Sequence, residues 1–129
     1  RQETAIIIED DIVFSSRILD VINEISLRNS MTEVIYDLEY VPRNHILAKK
    51  PKWMSSNNQV TATKIYKNKN GLGCYCLNSS AAVKLLLDCE KEIFNLADVF
   101  VWNRSWAEFL QIEPAPAIQM SIMKGSLKK

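Results

Sequence analysis

Thr4 to Ile8 is a short, continuously apolar and β-branched run, the pattern of a central strand covered on both faces. After it, Ile18, Val21, Ile22 and Ile25 recur at helical spacing behind Ser15 and Ser16, which are candidate N-caps; the predicted helix ends near Arg28-Asn29. Met31 to Leu38 alternates Val34 and Tyr36 against Glu33, Ile35 and Asp37, a second strand, parallel to the first because a helix connects them. Residues 40–59 carry Pro42, Pro51, adjacent lysines and Ser55-Ser56-Asn57-Asn58, a polar irregular excursion that is either plain surface or a lid.

Gln59 to Tyr66 alternates again. Asn68-Lys69-Asn70-Gly71 is a turn cluster that would make Leu72 to Leu77 its hairpin partner. Asn78 is placed to cap a helix over 79–92, with Ala82, Val83, Leu86 and Leu87 as its apolar stripe. A third helix is predicted from Asp98 to Leu110 through Phe100, Val101, Trp102, Trp106 and Phe109. Glu113-Pro114-Ala115-Pro116-Ala117-Ile118 is extended by its prolines, and the lysine-rich stretch 121–129 reads as a frayed tail. Strand, helix, strand, hairpin and two helices make an α/β fold.

The chain has 129 residues, the size of one domain with one core, and 47% apolar against 24% charged residues is the balance of a folded protein. Sixteen basic and 15 acidic side chains leave a formal charge of +1, which supplies no long-range field for nucleic acid or an anionic membrane. Three cysteines cannot close a disulfide set, no zinc spacing is present, and a reducing cytoplasm is the expected setting; Cys74 and Cys76 read as core. No run reaches the ~20 apolar residues of a membrane span, which leaves peripheral attachment at the inner face of a membrane open. The lone His45 receives no role.

Chemistry concentrates at Glu9-Asp10-Asp11, three carboxylates directly after an apolar strand, where ligands bind in open α/β sheets. On an extended backbone Glu9 and Asp11 point to one side and Asp10 to the other, so one pair can converge on a hard divalent cation, Mn²⁺ or Mg²⁺, which relieves the repulsion between them. Such a cation can bridge a diphosphate. The same trio also suits an exposed acidic turn leading to a helix.

Three stretches carry a resemblance. Ala5-Ile6-Ile7-Ile8-Glu9-Asp10-Asp11-Ile12-Val13-Phe14 resembles the strand and acidic motif of the family 25 glycosyltransferases, which include lipooligosaccharide and collagen galactosyltransferases. Gly73 to Leu86 is similar to that family's glycine-aromatic strand, serine turn and alanine-lysine-leucine helix. Asp98-Val99-Phe100-Val101-Trp102 resembles its Asp-containing segment before a last proline-bearing strand.

The resemblance implies a GT-A-like mixed sheet with flanking helices and a hexosyltransferase using a nucleotide sugar, UDP-galactose first, toward an oligosaccharide or lipid-linked acceptor. It implies Asp11 and Glu9 as metal ligands, and Glu9, Asp10, Gly73 and Tyr75 as substrate-binding residues. Asp98 would be the general base, or a hydrogen-bond partner of the sugar; its residue type equally suits an N-cap. Gly73 and Tyr75 also read as a packed strand, and Trp102 and Trp106 as core or as sugar-stacking rings. Family members carry a nucleotide-binding half before the acidic strand, so residues 1–129 are expected to be the C-terminal catalytic-site portion, with a sheet edge open to self-association. A catalytically inactive remnant serving as an interaction domain is the alternative. A receiver-like phosphotransfer domain fits poorly, for want of a downstream lysine in strand context.

Overall fold

The computed structural model describes residues 3–28, 33–40, 46–66, 71–93 and 96–127. Met31, His45 and the 68–70 part of the expected turn lie outside them. The elements in chain order are β1 (Thr4–Ile8), β2 (Ile12–Phe14), α1 (Ile18–Leu27), β3 (Val34–Asp37), β4 (Glu39–Tyr40), β5 (Trp53–Met54), β6 (Thr61–Lys64), β7 (Cys74–Asn78), α2 (Ser79–Lys91), α3 (Ala97–Trp102), β8 (Glu108–Glu113), β9 (Ala117–Gln119) and α4 (Met120–Leu127). This is a mixed α/β fold: a six-stranded sheet ordered β1-β7-β3-β8-β6-β5, beside a three-stranded sheet ordered β2-β9-β4.

The centre of the large sheet is β3, antiparallel to β7 and parallel to β8, and all four of its residues are buried. Its alternation sorts side chains onto two cores. Val34, Tyr36 and the following Leu38 join Val21 and Ile25 of α1, together with Cys74, Cys76, Leu110 and Ile112. Ile35 points the other way, into Leu77, Ala81, Phe100, Trp102 and Phe109. Period-two alternation in three adjacent strands thus builds an α1 layer, a sheet and an α2–α3 layer. Cys74 and Cys76 are fully buried, and loss of hydration pushes both thiols up to about 12.

The apolar run of β1 does not occupy the centre. It is the outermost of the six strands, paired antiparallel with β7 alone; Ile6 packs on the core while Ile7 and Ile8 are 46% and 48% exposed. β1 and β3 run in the same direction, as expected across a helix, but β7 lies between them. The expected β6–β7 hairpin is also replaced. β6 pairs with β5 and β8, and β7 slots between β1 and β3, so that each has backbone hydrogen-bond partners along both edges. Part of the irregular excursion is the β5–β6 hairpin, closed by Ser55, whose Oγ accepts from the N–H groups of Gln59 and Val60 and whose N–H donates to Val60 O at 2.8 Å. Trp53 of β5 stacks under the Arg28 guanidinium at 4.1 Å, which ties this hairpin to the end of α1.

Neither Ser15 nor Ser16 is the N-cap of α1: that position is Arg17, without a side-chain cap bond, and the Ser15 Oγ accepts from the Arg17 N–H at 3.2 Å in the turn leading to it. The Asn78 cap is present, its side chain accepting from Ala81 N–H at 2.9 Å. The stripe of α2 is different from the one its sequence suggests. Ala81, Ala82 and Leu85 face the core, while Val83 and Leu86 are 55% and 66% exposed. The cap fixes the helix rotation, and Asp88, one turn beyond Leu85, turns toward Trp106 Nε1 (2.8 Å) and Arg104 (3.0 Å).

The third helix is short. α3 stops at Trp102, and Phe109 belongs to β8, because pairing with both β3 and β6 satisfies the backbone of 108–113 as no helix could at that place in the sheet. Trp102 meets Phe109 at 4.6 Å between ring centroids and donates to Gly71 O at 3.2 Å, so its core role holds although the two tryptophans share no helix. Residues 120–127 form α4 rather than a frayed segment.

Candidate functional site

The acidic trio sits at a junction. β1 ends at Ile8, and the Glu9 N–H donates to Gly73 O at 2.8 Å, extending the β1–β7 pairing by one bond. Asp10 and Asp11 turn the chain into β2, and the Asp11 carbonyl accepts from Met120 N–H at 2.8 Å, which holds the turn against the start of α4. Strand geometry, not helix initiation, therefore sets this loop; the acidic turn leads into β2, with α1 beginning only at Ile18.

Asp98 approaches from the opposite side. It lies in the first turn of α3, whose N-cap is Leu96 without a side-chain cap bond, so Asp98 is not the helix cap. Together with Glu9, Gly71, Leu96, Ala97, Val99 and Trp102 it lines a concavity of about 480 Å³. Glu9 and Asp98, far apart in the chain, thus face the same space. The Glu9 carboxyl is pushed above its ordinary value first by partial burial, then by the negative charges of Asp98, Asp11 and Asp10, with a hydrogen bond from Gln119 opposing. The negative charges of Asp98, Asp11 and Asp10 gathered near Glu9 make this a place where a cation is favoured.

Gly73 is the closest approach in this region. A Cβ there would meet Glu39 Oε1 at 3.0 Å, Ile12 Cδ1 at 3.2 Å and Glu9 Oε2 at 3.3 Å, so only glycine leaves room for a carboxylate on either side. Gly71 has φ +94°, a left-handed conformation that leaves it beside Asp98 Oδ2. Tyr75 packs in the α2–α3 core, where burial and then Asp98 raise its hydroxyl. It is near the acids without lining the concavity.

Two acids that sequence reasoning passed over stand next to these. Asp37 and Glu39, 1% and 2% exposed, lie at and just beyond the carboxyl end of the central strand. Their signal was legible in Val34-Ile35-Tyr36-Asp37-Leu38-Glu39, since carboxylates at the end of an apolar strand occupy the ligand-binding end of a sheet. A larger concavity, about 620 Å³, lies between Phe14, Tyr40, Pro114, Pro116 and Met123; Glu39 and Gln111 also line it, and neither the acidic trio nor Asp98 does.

Among the described residues no three His, Cys, Asp or Glu side chains converge as a preformed metal cage. Asp11 Oδ1 is nevertheless buried without a hydrogen-bond partner, an oxygen that a cation would satisfy. Magnesium and manganese sites commonly use one or two carboxylates and take the rest of their shell from water and phosphate oxygens. The residues present fit such an open site.

Fold and site together define an α/β protein with a concavity at a strand end that carries two acids, Glu9 and Asp98, from distant segments of the chain. The model of glycosyltransferase family 25, described as LPS biosynthesis proteins, matches residues 1–101, and the chain belongs to that family. A search of curated proteins returns no match. Among the described residues no helix is long and apolar enough to cross a membrane.

Proposed function

We propose that this chain carries the catalytic-site portion of a metal-dependent hexosyltransferase, which moves a galactosyl unit from UDP-galactose to a lipooligosaccharide-type acceptor at the cytoplasmic face of a membrane. The observation that supports it best is the convergence of Glu9 and Asp98 on one concavity at the end of β1, in a chain of this family. Asp11 and Glu9 are the oxygens for Mn²⁺ or Mg²⁺, and a bound cation would offset the charge that builds on the departing diphosphate. Asp10, on the other side of the strand end, and the backbone at Gly73 border the donor, with Tyr75 supporting that wall.

Asp98 takes the acceptor hydroxyl proton. Asp98, on α3, lines the same concavity as Glu9, so an acceptor entering that space would lie beside it. With Asp98 as base, the reaction would be a direct displacement with inversion. The exposed Ile7 and Ile8 of β1 provide the edge for self-association.

The test is Mn²⁺-dependent donor hydrolysis or transfer by the full-length protein. Asp11→Ala should lower it at least about a hundredfold, since metal stabilisation of developing charge is worth several kcal/mol. Retained activity removes the metal role. The competing reading is a catalytically inactive remnant serving as an interaction domain. Calorimetric titration with Mn²⁺ and a UDP-sugar separates the two, because a remnant gives no heat above dilution.

A further inference from the structure

Gly73 is hydrogen-bonded on both sides of its peptide. Its carbonyl accepts from Glu9 N–H at 2.8 Å, and its own N–H donates to Glu39 Oε1 at 2.7 Å. The second bond is buried, and its acceptor is a carboxylate, which makes it stronger than an ordinary amide pair. Glu39 is itself fixed. Its N–H donates to Asp37 Oδ1 at 2.9 Å, and Gln111 Nε2 donates to Asp37 O at 3.3 Å and lies 3.5 Å from Glu39 O. The neighbouring Leu38 is bonded on both sides, from its N–H to Cys74 O and from Ala117 N–H to its carbonyl.

A buried carboxylate is costly in a strand whose other faces are apolar, and it survives only where it is well bonded. β7 needs no such acid for its own pairing, because β1 pairs with it over Cys74–Asn78 and β3 over Tyr75–Leu77. Glu39 serves the residue just before that strand, at the point where β7 meets the acidic loop. Without a Cβ on Gly73, the carboxylates of Glu39 and Glu9 approach the same point from opposite sides.

We propose that Glu39 is a positioning residue of the transferase site: its carboxylate grips the Gly73 N–H and, through the Gly73 carbonyl, fixes the backbone of Glu9 at the mouth of the concavity. It touches no substrate. The rigid reference is the central strand, and Gly73 transmits its position to the acidic motif. This inference rests on the function proposed above for Glu9.

Two conservative variants of the full-length protein separate the hydrogen bond from the charge. Glu39→Gln keeps an acceptor oxygen at the same reach and removes the charge; Glu39→Asp keeps the charge and withdraws the oxygen by one methylene. Glycine-selective isotope labelling brings out the Gly73 amide by NMR, its signal identified by its loss in Gly73→Ala. In Glu39→Asp, exchange of the Gly73 and Glu9 amides should accelerate on the order of tenfold or more, with amides of β8 unchanged. In Glu39→Gln it should stay within about threefold of wild type, the size of a weakened but retained bond. Donor turnover should follow the same order, falling in kcat for Glu39→Asp and being rescued in Glu39→Gln.

Wild-type protection of both amides in Glu39→Asp overturns the proposal. So does equal loss in Glu39→Gln, which would make the charge the active feature. General loss across β8 also overturns it, because Glu39 would then support the whole sheet rather than the site. The exchange comparison needs no donor, so a wild-type protein that cleaves no nucleotide sugar defeats the transferase reading while leaving this one to be decided by the amides.

Discussion

Replacing Gly73 by alanine puts a methyl group where three atoms already crowd, and the consequence can be worked through contact by contact. Its φ is outside the left-handed region, so the backbone itself accepts alanine and the cost is steric. Glu9 Oε2, at 3.3 Å, ends an exposed side chain and can swing away cheaply. Ile12 Cδ1, at 3.2 Å, can rotate. Glu39 Oε1, at 3.0 Å, cannot retreat without stretching its 2.7 Å bond to the same residue's N–H. Overpacking a well-filled site costs roughly 1–3 kcal/mol, and the entropy removed from the unfolded chain returns about 0.4–1 kcal/mol. The net is about 1 kcal/mol, near 0.5 M in a urea midpoint at ordinary slopes. Gly125→Ala is the control: nothing lies within 4 Å of its added Cβ in α4, so it should hold or raise stability. Gly73→Ala should also lower donor turnover, because the neighbour displaced most cheaply is the Glu9 carboxylate. An unchanged midpoint with unchanged turnover would refute the crowding described here.

Trp102→Ala should cost on the order of 3–5 kcal/mol, because the ring is 6% exposed, packs on Phe109 and donates to Gly71 O; a fall of less than about 5 °C in thermal midpoint would contradict its core role. For Glu9 the sign of the pH effect follows from its raised value. The folded chain holds this proton more tightly than the unfolded chain, so stability contributed at Glu9 is greatest below the ordinary carboxyl value and declines as pH rises through the raised one. The stability difference between wild type and Glu9→Gln, followed by urea denaturation without metal, should therefore shift against wild type across that window. A flat difference would mean that the surrounding acids do not act on Glu9.

The acidic strand end could be read from local composition, because three carboxylates after a β-branched run need only nearest neighbours to be recognised. Asp98 was singled out by its resemblance to a family segment, and the structure places it on the same concavity as Glu9. The role of Glu39 gave no such signal, because its hydrogen bond is to Gly73, just before β7, and no spacing within either segment expresses that bond.

Sequence alone determined the alternation of β3 and β7, the cap at Asn78, the buried cysteines and the acidic strand end, all of which follow from side-chain period and short-range bonding. Tertiary structure decided the rest. β1 went to the outside, β7 entered between β1 and β3, Phe109 left the predicted helix for a strand, and α2 turned Val83 and Leu86 outward. Each outcome depends on which backbone pairs with which and which face is then left to cover, a competition among distant segments that hydrophobic periodicity does not encode.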